Sequence, residues 1–401
     1  MKKTYLFAAL FLLAACSAPG PKVDKKLEEI KSISEAVRQQ YAPDKRSNIY
    51  EVNVKPDMTQ AGVYVLRGAI SVTEARQDLL VRLQEENLNV LDSTTLLPAA
   101  DLGEKTYGIT TQSVINFRTG PSYASEAATQ TMMGMPLRIL EKRSGWTRAV
   151  TPEGYIAWVS SGGIREMSKA EYEAWTAAEK LIITTHYTLF RDQARANATV
   201  VSDGVWGNIV RADGESGLYY RVILPTGLNA FVLKKDAQKL GAWLKQRNPS
   251  PQNIIATGKQ FIGFPYMWGG TSIKAMDCSG FVKTCYYLHG VIIPRDASQQ
   301  AYVGENVDIS GGIDHLQPGD LLFFGSKATA ETKERITHVG IYMEEGEFIH
   351  SAGYVHINSL KPEAYNYYSG STRLVRVQRY TERIGVDKAL VRIAEHPWYN
   401  Q

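Results

Sequence analysis

Hydrophobic positions change their spacing repeatedly along the chain, and each change marks a candidate element. Residues 24–41 place Leu27, Ile30, Ile33, Val37 and Tyr41 at helical intervals. Residues 49–54 and 63–70 read as strands. Residues 73–87 predict a second helix, with Thr73 as its N-cap and Leu79, Leu80 and Leu83 on one face. From 107 to 165 the pattern turns to short strands between turn residues, among them 137–140, 146–150 and 154–159. Residues 166–180 predict a connecting helix. Short strands return at 182–183, 199–201, 206–210, 219–223 and 229–232. Residues 253–262 predict a helix, and a loop then runs to Gly270. A further helix opens at Cys278, with Phe281, Val282, Cys285, Tyr286 and Leu288 apolar. The continuous apolar run 321–324 suits a buried strand.

A chain of 401 residues exceeds one ordinary core, so two to four domains are expected. The first residues differ from the rest. Lys2 and Lys3 precede an apolar stretch, 5–13, that is far short of the ~20 residues of a membrane span. This reads as a secretory signal, residues 1–15. Leu13-Ala14-Ala15-Cys16 resembles a bacterial lipobox, which implies a lipidated Cys16 and membrane anchoring in the cell envelope. Residues 17–24, with Pro19 and Pro21, form a tether.

Removing residues 1–15 takes away two lysines and no acid, so the formal charge falls from +4 to +2. Nucleic-acid binders carry a stronger basic footprint. Cys278 and Cys285 lie seven apart on one helix, about 10 Å by helix rise, which is beyond disulfide reach. No His, Asp or Glu set has metal-ligand spacing, so neither metal nor cofactor is expected. Nothing in the chain implies an obligate protein partner.

The chemistry concentrates in the last third. Cys278, in Asp277-Cys278-Ser279-Gly280, begins a helix, where unpaired N–H groups favour a thiolate. Its polar setting separates it from Cys285, which reads as a core residue. His338 and His350 lie on strands joined around Glu345. A three-residue loop centred there sets Gly340 opposite His350, which makes His338 a diagonal neighbour at about 7 Å. Such a pair suits a relay in which one imidazole meets the thiol and the other orients the first. Another loop register would separate the two faces. His186, His289, His315, His356 and His396 read as structural.

Two resemblances extend this reading. Asn116-Phe117-Arg118-Thr119-Gly120-Pro121-Ser122 resembles the signature of bacterial SH3 domains, and residues 181–240 read as a second, diverged barrel without that signature. Pro265-Tyr266-Met267-Trp268-Gly269-Gly270, Asp277-Cys278-Ser279-Gly280-Phe281-Val282, Pro294-Arg295-Asp296, Gln317-Pro318-Gly319-Asp320, Thr337-His338-Val339-Gly340 and Phe348-Ile349-His350 together resemble the NlpC family of papain-like cell-wall peptidases. The layout is most similar to the YkfC-type γ-D-glutamyl-L-diamino acid endopeptidases.

The resemblance implies an α+β protein. It comprises a small N-terminal α+β unit after the tether (16–105), SH3-like barrels at 106–165 and 175–245, and a papain-like domain at 250–385 with helices on an antiparallel sheet. A C-terminal extension, 386–401, follows. The resemblance also implies Cys278 as nucleophile, His338 as base and His350 as the residue that orients it. Asp277 and Ser279 are expected to touch the substrate backbone, and Trp268 to wall the cleft. Tyr155, Glu126 and Asp296 complete the expected substrate site, with Asp277 and Tyr155 together suited to a substrate ammonium. Related chains often carry serine after the aspartate matching Asp296. Here Ala297 follows, so either Ser298 supplies that hydroxyl or the contact is absent.

The implied activity is cleavage of the γ-D-Glu–diamino acid bond, with meso-diaminopimelate or L-Lys, in peptidoglycan stem peptides bearing free N-terminal L-Ala, a murein-recycling reaction. Two alternatives are a hydrolase of stems on intact peptidoglycan and an inert wall-binding lipoprotein. Permuted acyltransferase-like relatives are set aside, because their histidine precedes the cysteine.

Overall fold

The computed structural model describes residues 24–399, so the expected signal 1–15 and Cys16 lie outside the described residues. The chain divides into two compact units. The smaller comprises residues up to 43 together with 50–95, and the larger comprises 44–49 and 96–401. The boundary expected at 105 therefore falls earlier, and a six-residue turn of the N-terminal region belongs to the large unit.

In the small unit the helix Lys25–Tyr41 starts at Asp24, whose carboxylate accepts the Leu27 N–H. The helix Thr73–Glu85 includes Thr73 in its first turn. Its cap is Val72, which offers no side-chain acceptor, so Thr73 is not the N-cap. Ile30, Val37, Leu79 and Leu83 pack with Leu66 and Ile70 of a three-stranded sheet, made of Tyr50–Pro56, Tyr64–Ile70 and Val90–Leu96.

The large unit holds two seven-stranded sheets with the same strand order. In the first it runs Ile164–Met167, Tyr107–Thr110, Pro136–Arg143, Trp146–Val150, Ile156–Ser160, Val114–Arg118, Ala127–Met132. The second repeats it as Ala237–Lys239, Lys180–Ile183, Ile209–Ser216, Tyr219–Ile223, Asn229–Leu233, Tyr187–Arg191, Val200–Val205. Both place a register shift between a phenylalanine and the arginine that follows it, Phe117/Arg118 and Phe190/Arg191. In both, that arginine donates to a loop carbonyl seven residues on, Ser125 or Ala198, at 2.7 Å. The strand Tyr187–Arg191 carries this likeness and is absent from the pattern reading above. Residues 206–210 are not one strand: Trp206 and Gly207 turn, with Gly207 at φ +94°, before the strand Ile209–Ser216 begins.

Downstream lies a six-stranded antiparallel sheet in the order Glu305–Val307, Leu374–Arg379, Leu321–Ser326, Arg335–Tyr342, Glu347–Ala352, Tyr354–Ser359. The helix Cys278–Tyr287 packs on it, with Phe281, Val282 and Cys285 in one core with Val339, Ile341 and Ile349. Residues 390–399, expected within an extension, join this core. Val391–Arg392 pairs with Val291–Ile292, and Leu390 and Ile393 are buried.

The first barrel is bonded to this domain through buried polar groups. Gln130 Oε1 accepts from Thr271 N at 3.0 Å and Ser272 Oγ at 2.9 Å. Arg295 Nε donates to Thr129 Oγ1 at 3.0 Å.

Candidate active site

Cys278 is the first residue of its helix, and Asp277 is the cap. The Asp277 carboxylate accepts from Gly280 N at 2.7 Å and Gly269 N at 3.0 Å. Gly280 is required by close approach: a Cβ there would lie 1.9 Å from the Gly270 carbonyl oxygen. Arg295 closes the arrangement. Its guanidinium, 1% exposed, pairs with Asp277 at 2.6 Å and donates to Ser279 Oγ at 2.9 Å.

The Asp277 and Ser279 side chains are both buried and bonded to Arg295, so they hold the helix terminus in place. A buried guanidinium and a buried carboxylate each need a partner, and each is the other's. Arg295 stands in the sequence block above without a role. A buried arginine beside an acidic cap is a relation that only the folded chain reveals.

Cys278 is 7% exposed, and its sulfur lies against the backbone N–H groups of Val339 and Ser279. Burial, and then the Asp277 charge, push its thiol up to about 12, while the two N–H groups act in the opposite sense. The Val339 contact sets His338 one residue from the sulfur along its strand.

The hairpin pairs Ile341 with Ile349 and Tyr342 with Phe348, which is the register of a three-residue loop centred on Glu345. His338 Nε2 and His350 Nδ1 are 2.7 Å apart. His350 Nε2 is in turn 2.8 Å from Asn358 Oδ1, and Asn358 Nδ2 donates to the Asn366 carbonyl. This line fixes the protons. Asn358 Oδ1 can only accept, so His350 carries hydrogen on Nε2 and accepts at Nδ1. His338 then donates from Nε2, which leaves its Nδ1 lone pair free for chemistry. Burial, and then the neighbouring His350, hold His338 down to about 3; burial holds His350 down to about 4. Both imidazoles are therefore neutral at pH 7.

Asn358 was not singled out from sequence. It lies on the strand paired with His350's own, two residues past His356, which is His350's direct partner. Tyr266 belongs to the Pro265–Gly270 segment that leads to the nucleophile. Its phenol is raised by burial and then by Cys278 and Asp277, so a protonated hydroxyl stands near the sulfur.

Of the expected substrate residues, Tyr155 and Asp296 come together. Tyr155, 8% exposed, packs in the first barrel's core, with its hydroxyl close enough to Asp296 for that charge, after burial, to raise the phenol. Asp296 is thus the carboxylate beside it. Trp268 is largely exposed on the loop before Gly269, which packs against Ala127 of the barrel. Glu126, one residue earlier in the barrel, is exposed and stands outside the Tyr155–Asp296 pair. Among the described residues no group of three or more His, Cys, Asp or Glu is placed to hold a metal.

Comparison with known proteins agrees with this geometry. A γ-D-glutamyl-L-lysine dipeptidyl-peptidase of Bacillus cereus is 31% identical over 242 residues, which cover 57% of this chain and 68% of the relative. The NlpC/P60 family matches residues 263–377, and the bacterial dipeptidyl-peptidase SH3 domain matches 117–164. The chain belongs to the NlpC/P60 family. It is a cysteine peptidase of papain-like α+β fold with a bacterial SH3 domain.

Other NlpC/P60 relatives align over similar lengths. A Bacillus subtilis γ-D-glutamyl-L-lysine dipeptidyl-peptidase is 29% identical, covering 56% of this chain and 71% of the relative. The crystal structure of an NlpC/P60 family protein from Bacillus cereus superposes with a TM-score of 0.58 at 24% identity, covering 69% of this chain and 99% of that one, which shows the shared fold.

Proposed function

We propose that this peptidase cleaves the γ-D-Glu–diamino acid bond of peptidoglycan-derived peptides with a free N-terminal L-Ala, in murein recycling. One observation carries the catalytic half: a thiol at a capped helix N-terminus beside the His338–His350–Asn358 line. Cys278 is the nucleophile. His338 Nδ1 takes its proton as sulfur attacks the carbonyl carbon, and His350 holds His338 in the required tautomer. The Tyr266 hydroxyl is a donor for the developing oxyanion. Collapse expels the diamino acid's amine, which takes the proton from His338. Water, deprotonated by His338, then hydrolyses the thioester.

A neutral resting pair suits a buried site. The thiolate forms only as the proton moves to His338, when a substrate carbonyl is in place.

The substrate half rests on Tyr155 and Asp296, a carboxylate and a hydroxyl suited to an ammonium. A dipeptidyl-peptidase, the activity named for the Bacillus relatives, measures two residues from an amino end. Such an enzyme needs a group that reads that end. The lipobox-like Leu13-Ala14-Ala15-Cys16 adds the proposal of a lipid anchor in the cell envelope, which labelling with radioactive palmitate tests in wild type against Cys16→Ala.

The deciding experiment is mass spectrometry of L-Ala-γ-D-Glu-L-Lys and its meso-diaminopimelate counterpart after incubation with wild type and Cys278→Ala. Wild type alone is expected to release L-Ala-γ-D-Glu. Intact peptides after long incubation with reduced Cys278 would sink the proposal.

A further inference from the structure

Residues 44–49 pack with the large unit, although the chain on both sides of them belongs to the small one. Asp44 makes them a tight turn. Its carbonyl accepts from Ser47 N and Asn48 N, and its carboxylate accepts from Arg46 N at 2.9 Å.

This turn touches both walls of the site. On the barrel side, Ile156 N donates to the Arg46 carbonyl at 2.7 Å. On the peptidase side, Arg46 Nη1 donates to Asp296 Oδ2 and to Ser298 Oγ, each at 2.8 Å, and Gln299 Nε2 donates to Asp44 Oδ2 at 3.1 Å. Tyr155, adjacent to Ile156, has its hydroxyl beside the same Asp296. The turn therefore bridges barrel and peptidase where Tyr155 meets Asp296. The Ser298 hydroxyl, the candidate substitute for the serine replaced by Ala297, is bonded to Arg46.

We propose that Arg46 is a specificity-determining residue: the turn it anchors closes the cleft at Asp296 and Tyr155, admitting a free amino terminus and excluding one that is acylated or extended. This rests on the reading above that the substrate's amino end lies at those two residues. Arg295 also lies 3.8 Å from Asp296 but is paired with Asp277 at 2.6 Å, so Asp44, Arg46, Asp296, Arg295 and Asp277 together carry a formal charge of −1. That balance favours an ammonium, whereas an amide leaves the surplus carboxylate charge uncompensated. The guanidinium suits the bridging role because its planar fork reaches Asp44, Asp296 and Ser298 at once, which an ammonium point charge does not. Arg46 lies outside both matched family segments, 117–164 and 263–377.

The test is a double variant, Asp44→Ala with Arg46→Ala. It removes one charge of each sign, so the formal charge around Asp296 is kept while the bridge is lost. kcat/KM is measured on L-Ala-γ-D-Glu-L-Lys and on the same peptide acetylated at its amino terminus. The ratio of the two, taken within one preparation, is independent of how much protein is folded. Wild type is expected to favour the free peptide by roughly 100-fold, the scale of steric exclusion from a pocket. The double variant is expected to narrow that ratio at least tenfold, mainly through gain on the acetylated peptide. A ratio unchanged in the double variant would overturn the role of Arg46 and leave the proposed function standing. Equal cleavage of both peptides by wild type would overturn it as well. Cleavage of neither by wild type would remove the proposed function and this inference with it.

Discussion

His338 Nε2 lies 2.7 Å from His350 Nδ1, and Asn358 settles which of the two nitrogens holds the proton. Without the Asn358 oxygen, His350 can adopt the opposite tautomer and donate from Nδ1 to His338 Nε2, which leaves the hydrogen on His338 Nδ1 and no lone pair there to take the thiol proton. Asn358→Leu is therefore expected to lower kcat by about tenfold, the scale of one lost orienting hydrogen bond, with KM little changed. Asn358→Asp keeps an acceptor and is expected to retain more activity than the leucine variant. Steady-state kinetics on the tripeptide checks both; equal losses would remove the tautomer argument.

The depressed imidazoles set the acid limb of the pH profile. His338 works only when unprotonated and is held near 3, so kcat/KM is expected to persist well below pH 6.5 before it falls. An acid limb at an ordinary histidine value would contradict the buried, neutral pair.

The same groups make stability fall with acid. In the unfolded chain each histidine binds a proton below about pH 6.5, whereas folded His338 and His350 bind theirs only near 3 and 4. Their contribution is intact above pH 6.5 and is lost as pH falls toward those values. The slope is about 1.4 kcal/mol per pH unit for each group. Urea midpoints at pH 7 and pH 4.5 are expected to differ less in His350→Asn than in wild type.

Arg295 joins Asp277, Ser279 and the barrel's Thr129. Arg295→Met leaves the Asp277 carboxylate buried without its cation, a loss of roughly 3–5 kcal/mol. Chemical denaturation measures it. The loss is expected to be accompanied by slower alkylation of Cys278, because an uncompensated Asp277 charge opposes the thiolate. Wild-type stability in this variant would mean that the pair is dispensable.

Tyr155→Phe removes the hydroxyl on Asp296 and leaves the ring in the barrel core. KM for the free-amine tripeptide is expected to rise severalfold to tenfold, with kcat nearly unchanged, as for one hydrogen bond to a charged group. A fall in kcat alone would place Tyr155 elsewhere in the reaction.

Local rules went far in this chain. The hairpin register at His338 and His350 was legible because a three-residue loop leaves the strands little choice. The helix at Cys278 was legible from its acidic cap and apolar face. The bonds from Arg295 to Asp277 and Ser279 were not, because a polar residue beside a nucleophile reads the same whether or not a buried arginine meets it. Asn358 escaped notice because its relation to His350 passes through a second strand pairing. The strand Tyr187–Arg191 was missed because its turn lacks the Gly-Pro-Ser that marks the first barrel.

By itself the sequence determined the family chemistry, the order of most elements and, for a three-residue loop, the pairing of the two histidines. All of these depend on local periodicity, capping and loop length, which act between residues close along the chain. Tertiary structure alone decided that Tyr155 meets Asp296 rather than Asp277, that Arg295 joins the nucleophile's cap to the first barrel, and that Arg46 arrives beside Asp296 from 250 residues away. Those relations depend on how buried charges find partners once the domains close on one another, and no spacing along the chain encodes that choice.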